Sequence, residues 1–233
     1  MDRTQAIEPD LIRWSTWNAG ALALGGGACA LGAPLGLLSA TAAIAFSALL
    51  FGFRQRWTPQ GRFGPANAIT FARIAGILAL PALPPGLPAA AVALALFALD
   101  GVDGRIARSR QLAGPFGEFA DKEGDALLVL VLCLLLYRLP GGLGPWILLP
   151  GMLRYAFVLF VALARPPRSK EPRSAKGAWI AGLITLSLIA AVASYPSYLE
   201  QAAWLVAAAT AVLCYSFFES TVQMYGKTPA EAK

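Results

Sequence analysis

The 233-residue sequence contains no histidine. Its absence removes imidazole as a metal ligand or general base and leaves carboxylates, lysines and hydroxyls for any chemistry. Charge is scarce as well. Only 14% of residues are charged against 57% hydrophobic, whereas a soluble domain carries about a quarter charged. The deficit excludes an ordinary soluble globule and points to a membrane protein. Cysteine is limited to Cys29, Cys133 and Cys214, each alone in an apolar run without C-x-x-C spacing. They read as small packing residues rather than a thiolate metal centre or a redox pair. Residues 1–17 lack a short apolar core ahead of a small-residue cleavage site, so no cleavable signal peptide is expected.

What is abundant is long apolar sequence. A spanning helix needs about 20 apolar residues, with about 17 as a lower limit. Residues 15–53 are too long for one span, and the Gly32-Ala33-Pro34 break divides them into two short helices. Further spans are expected at 66–81, 87–108, 118–138, 145–165, 177–195 and 199–219. Their separators are PALPPGLP, the Gly114-Pro115 turn, LPGGLGP, the basic stretch RPPRSKEPRSAKG and the Tyr195-Pro196-Ser197 corner. The expected fold class is all-α, a polytopic transmembrane helix bundle. Its first helix is weakened by Gly25-Gly26-Gly27. The expected organisation is a cytoplasmic N-terminal segment (1–14), two N-terminal helices with a basic loop (15–65), a six-helix core (66–219) and a cytoplasmic tail (220–233). Residues 3–17 have mixed polarity, with an apolar face too irregular to assign them to the membrane surface.

The loop charges orient the bundle. Arg54, Arg56, Arg62, Arg105, Arg108 and Arg110 fall on one side, with Arg165, Arg168, Lys170, Arg173 and Lys176. Arg3, Arg13, Lys227 and Lys233 join them, and the opposite loops offer only Arg138. The positive-inside rule makes the basic side cytoplasmic. Topology and anionic headgroups thus account for the net charge of +6, and no nucleic-acid partner is expected.

One stretch breaks the apolar pattern: DGVDGRIARSRQLAGPFGEFADKEGD, residues 100–125. An ionised carboxylate in the hydrocarbon region is costly, and several close together repel. Asp100 and Asp103 are one helical turn apart, and Asp121 and Asp125 are spaced i, i+4, so each pair shares a face. The Gly114-Pro115 turn makes the two helices antiparallel neighbours whose carboxylates can converge. Grouped hard oxygen donors suit Mg²⁺, Mn²⁺ or Ca²⁺, and without soft or imidazole ligands they do not suit zinc. Gly104, Ala107 and Gly117 allow close approach of a backbone or bulky ligand, and Arg108 supplies a fixed cation for phosphate. Together these residues describe a pyrophosphate site. The plainer alternative, juxtamembrane charges in interfacial water, is adopted for Arg105, Arg110, Lys122 and Glu123 but not for the aspartates.

The stretch resembles the signature of the CDP-alcohol phosphotransferase family, D-x2-D-G-x2-A-R-x8-G-x3-D-x3-D. Asp100, Asp103, Gly104, Ala107, Arg108, Gly117, Asp121 and Asp125 fill every fixed position. The resemblance implies a six-helix core with a two-metal Mg²⁺ or Mn²⁺ site. There the pyrophosphate of a CDP-linked substrate is cleaved as an alcohol attacks the phosphorus next to the lipid, and CMP leaves. It implies Asp100, Asp103 and Asp121 as metal ligands, and Asp125 as catalytic base and a sharer of the second metal. Gly104, Ala107, Arg108 and Gly117 would line the nucleotide pocket, and the assembly would be a homodimer. The expected partners are a CDP-linked lipid, most simply CDP-diacylglycerol, and a polar alcohol, phosphorylated or not, in phospholipid biosynthesis. The expected location is a bacterial inner (cytoplasmic) membrane, with the active site facing the cytoplasm.

Asn67, Thr70 and Arg73 recur every third residue after Pro65, a helix start. By resemblance they lie beside the nucleotide; capping and an interfacial arginine are the plainer reading. Arg154 lies inside GMLRYAFVLF, and an intramembrane arginine is a functional-site candidate. With Lys170, Arg173 and Lys176 it forms the expected site for an acceptor's phosphate, although loop topology alone also explains those three. The helices at 15–53 depart from the six-helix pattern and leave the subfamily open. Three other readings compete. CDP-choline or CDP-ethanolamine transfer to diacylglycerol uses the same motif. A membrane prenyltransferase would carry a second Asp-rich motif, yet residues 126–233 contain no aspartate. A cation transporter would show inverted repeats or matched broken helices, and the sequence has neither.

Overall fold

The computed structural model describes residues 7–54, 56–58, 60–109, 112–166 and 175–225, with the side chains of 102–109 and 175 set aside. The described residues form eight α-helices: α1 (Glu8–Ala30), α2 (Leu35–Gly52), α3 (Pro65–Ala79), α4 (Leu87–Ser109), α5 (Pro115–Arg138), α6 (Leu148–Ala164), α7 (Ala175–Ala193) and α8 (Leu199–Tyr225). Short 3-10 turns at Leu80–Ala82 and Pro145–Ile147 adjoin α3 and α6. Among these residues there is no strand, as the all-α expectation requires.

The helix ends follow local chemistry. α1 stops where Gly32 takes φ +114°, a conformation glycine adopts without steric cost, and Pro34 then precedes α2 in an extended conformation. α3 and α5 both begin with proline at the first helical position after an extended glycine, Gly64 and Gly114 respectively. α1 begins earlier than the expected residue 15, because Pro9 suits a first turn and Glu8 and Asp10 complement the helix dipole there. α8 likewise runs past 219 to Tyr225.

Among the described residues, five helical segments are long and apolar enough to cross a membrane: Leu35–Gly52, Pro65–Ala82, Pro145–Ala164, Lys176–Ala193 and Leu199–Tyr225. Their outward faces carry exposed Ile44, Leu163, Trp179 and Trp204, an apolar surface that lipid would cover. α5 differs. It is the central helix, packed against α1, α2, α3, α4, α6 and α7, and its stretch from Ala126 to Leu134 is buried on every side. A helix apolar all round belongs inside protein or lipid, and here protein encloses it. Glycines set the tight contacts. A Cβ on Gly76 would lie 2.5 Å from Leu96 Cδ2, so α3 and α4 pack closely only with glycine there. Gly151 brings α6 against α5, where a Cβ would meet Leu130 Cα at 3.0 Å. Cys29, Cys133 and Cys214 are free thiols, the first two buried, consistent with packing roles.

Candidate active site

Three helices deliver the charged centre: α3 brings Arg73, α4 brings Asp100, and α5 brings Asp121 and Asp125. One carboxylate oxygen from each aspartate lies within 4.8 Å of the other two. Arg73 sits among them. Its Nη1 donates to Asp100 Oδ1, and its Nη2 donates to Asp121 Oδ1 at 3.0 Å and Asp125 Oδ1 at 2.9 Å. The Arg73 side chain is 1% exposed, whereas the aspartates are 31%, 38% and 44% exposed. The guanidinium is thus the floor of the site, and the carboxylates are its open rim.

The sequence builds this floor locally. Asn67, Thr70 and Arg73 fall on one buried stripe of α3. α5 passes close to Arg73 because Gly124 has no side chain; a Cβ there would stand 3.3 Å from Arg73 Nη2 and 3.4 Å from Ile74 Cγ1. A buried guanidinium loses much of its hydration, and three carboxylates offset that loss. Among the described side chains, three carboxylates face one guanidinium, a deficit of positive charge within that set. A divalent cation fits that deficit in charge, and the all-oxygen donor set fits Mg²⁺ or Mn²⁺.

The expected site residues divide into three groups. Asp100, Asp121 and Asp125 are brought together, with Asn67, Thr70 and Gly117 nearby. Asn67 Nδ2 donates to the Trp57 carbonyl at 3.1 Å, and a Cβ on Gly117 would lie 3.3 Å from Asn67 Oδ1. Thr70 Oγ1 donates to the Ala66 carbonyl at 3.1 Å. Asp103, Gly104, Ala107 and Arg108 continue α4 beyond Asp100, but their side chains lie outside the described residues, as do Lys170 and Arg173 altogether. The two remaining acceptor candidates already have acidic partners. Lys176 Nζ lies 2.6 Å from Glu219 Oε2, and Arg154 Nη2 donates to Glu123 Oε1 at 3.2 Å.

Glu123 corrects the sequence reading. It was expected as a juxtamembrane charge in interfacial water, yet it is 0% exposed. Besides Arg154 it accepts from Ser15 Oγ at 2.8 Å and Asn18 Nδ2 at 3.0 Å, both on α1. Its neighbour Lys122 is exposed, as expected. Helical phase separates the two: Lys122 points outward, while Glu123 points between α1 and α6. Sequence reasoning also passed over Ser15, Asn18 and Gly124. The available signal was polar residues at i, i+3 within the buried stripe Leu11, Ser15, Asn18, Leu22.

A family model described as CDP-alcohol phosphatidyltransferase matches residues 63–217, well over half of the chain. It spans α3 to α7 and most of α8, including Arg73 and the aspartates, and leaves α1 and α2 outside. No curated protein and no solved structure gives a significant match.

Proposed function

We propose that this chain, which belongs to the CDP-alcohol phosphatidyltransferase family, transfers the phosphatidyl group of CDP-diacylglycerol to a polar, phosphorylated alcohol and releases CMP. The observation that carries this reading is the convergence of Asp100, Asp121 and Asp125 around Arg73, three carboxylates to one guanidinium among the described side chains.

Asp100, Asp103, Asp121 and Asp125 are the residues that would hold two Mg²⁺ or Mn²⁺ ions. Bound there, the metals would neutralise the pyrophosphate and favour the in-line displacement. Arg73 keeps the three carboxylates apart from one another and oriented towards the opening. Asp125, the most exposed of the three, accepts the proton of the acceptor hydroxyl. The acceptor oxygen forms a bond to the phosphorus bearing the diacylglycerol. The bond from that phosphorus to the bridging oxygen breaks, and CMP departs with the electron pair. By the resemblance, Gly104, Ala107, Arg108, Gly117, Asn67 and Thr70 would line the nucleotide side. Lys170, Arg173 and Lys176 would supply the positive charge that favours an anionic acceptor, whereas Arg154 is engaged by Glu123. The positive-inside bias of the basic loops supports a site on the cytoplasmic side of the membrane; a bacterial inner membrane and a homodimeric assembly complete the proposal.

The test is CMP release by the purified full chain with Mg²⁺ or Mn²⁺, CDP-diacylglycerol and a panel of alcohol acceptors, with lipid products read by mass spectrometry. A phosphatidyl-alcohol product is expected. Release of CMP only with CDP-choline or CDP-ethanolamine plus diacylglycerol would replace the donor assignment. No CMP from any pair, together with metal flux in liposomes or isoprenyl diphosphate turnover, would overturn the reading.

A further inference from the structure

The site described above occupies one face of α5. Glu123 is two residues from Asp121 and two from Asp125, a rotation of about 200° in either direction, so it projects from the opposite face. There its carboxylate is fully buried and takes hydrogen bonds from Ser15 and Asn18 of α1 and from Arg154 of α6. α5 is therefore tied by polar groups on both sides, to α3 through Arg73 and to α1 and α6 through Glu123.

The rest of α5 explains why such ties matter. From Ala126 to Leu134 its surface is apolar and buried all round. Apolar contacts dominate this stretch, with Gly26 and Gly151 admitting close approach at Leu130 and Cys133, and they select a rotation about the helix axis less sharply than a hydrogen-bonded charge does. A buried ion pair contributes little net stability, because desolvation offsets its attraction. What it does contribute is selection among packings, since any rotation that separates Glu123 from its donors leaves a buried charge unpaired. Asp121 and Asp125 turn with the same helix, so the phase that satisfies Glu123 also aims both carboxylates.

We infer that Glu123, Ser15 and Asn18 are positioning residues for the transfer reaction, and that α1, which lies outside the family match, is a working part of the catalytic apparatus. This inference rests on the proposed phosphatidyl transfer. It concerns the phase of α5, and touches neither the identity of the acceptor nor that of the metal.

The reciprocal swap tests it. Glu123→Gln removes the charge and leaves a single amide oxygen to accept from Ser15, Asn18 and Arg154. Asn18→Asp places two carboxylates side by side. The double variant Asn18→Asp/Glu123→Gln restores one donor and one acceptor and keeps a single carboxylate in the network near Arg154. In the full-length protein, each single variant is expected to lower kcat about 10–100-fold, the range for residues that orient ligands rather than bind them. KM for the CDP-lipid should stay near wild type, and Mn²⁺ affinity, read by electron paramagnetic resonance without turnover, should weaken. The double variant should recover both kcat and Mn²⁺ affinity towards wild type. Wild-type kcat and Mn²⁺ affinity in the singles, or a double no better than the worse single, would overturn the inference. Should a single variant fail to fold, Ser15→Ala, which removes one donor, carries the same comparison. A wild-type protein that binds Mn²⁺ but releases no CMP would instead sink the transfer reading, while the Mn²⁺ measurements still decide the positioning role.

Discussion

Arg73→Gln removes the buried positive charge that, among the described residues, sits at the centre of the three aspartates. Breaking a buried ion pair from one side costs about 3–5 kcal/mol, because the remaining charge stays desolvated. Here the residue lost is the buried one, and the carboxylates left behind are 31%, 38% and 44% exposed. Water can solvate them in part, which places the expected loss near the low end, about 3 kcal/mol. For a chain of this length that corresponds to a fall of about 6–12 °C in the thermal midpoint. The assay is thermal unfolding of the detergent-purified protein followed by the fluorescence of its six tryptophans, with and without Mn²⁺. Removing the guanidinium leaves the three aspartates with one positive charge fewer to offset them. Mn²⁺ should therefore stabilise the variant by more than it stabilises wild type. Arg73→Lys should fall between the two, since an ammonium lacks the planar fork that reaches several carboxylates at once. A variant as stable as wild type in metal-free buffer, or one that gains no more from Mn²⁺, would refute the reasoning.

Chelation by EDTA should abolish CMP release, and Mg²⁺ or Mn²⁺ should restore it; activity that persists in EDTA would remove the metal from the scheme. Asp125→Asn keeps the shape of the side chain but not its basicity. Turnover should drop by about 10²–10⁴-fold, the usual contribution of a positioned base, while CDP-lipid binding measured by calorimetry is largely retained. Gly124→Ala pushes a methyl group against Arg73 Nη2 and Ile74 at 3.3–3.4 Å. The expected cost is about 1–3 kcal/mol of overpacking, read as a lower thermal midpoint together with weaker Mn²⁺ binding. Gly27→Ala, where a Cβ would meet nothing within 4 Å, serves as the control without overpacking, its thermal midpoint expected at or above wild type because alanine favours the helix.

Much of the architecture was legible from one dimension. Proline, glycine and the length of apolar runs marked the breaks, because proline and glycine act on the backbone at their own positions. Gly32 and Pro34 ended one helix and began the next where the sequence placed them. The start of α1 was less legible, since the first turns are polar and only packing buries Ile7 and Leu11. The candidate site was legible in the same way: Asp121 and Asp125 share a face by helical phase alone, and Asp100 needed only the short turn between α4 and α5 to join them.

The sequence by itself determined that this is a helical chain with apolar spans, and that four aspartates stand in two helical pairs beside small residues and Arg108. These are properties of spacing and residue type, and they survive any arrangement of the helices. Tertiary structure decided which charges meet. Arg73 reaches all three described aspartates because α3 lies against α5 at Gly124. Glu123 is buried because α1 and α6 close over the far side of α5. Glu123 and Lys122 are adjacent in sequence and equally polar, yet one is enclosed and the other exposed. The physical reason is that the cost of a charge depends on what surrounds it, and for Glu123 the surroundings come from α1, more than 100 residues away in the chain, and from α6, 31 residues away at Arg154.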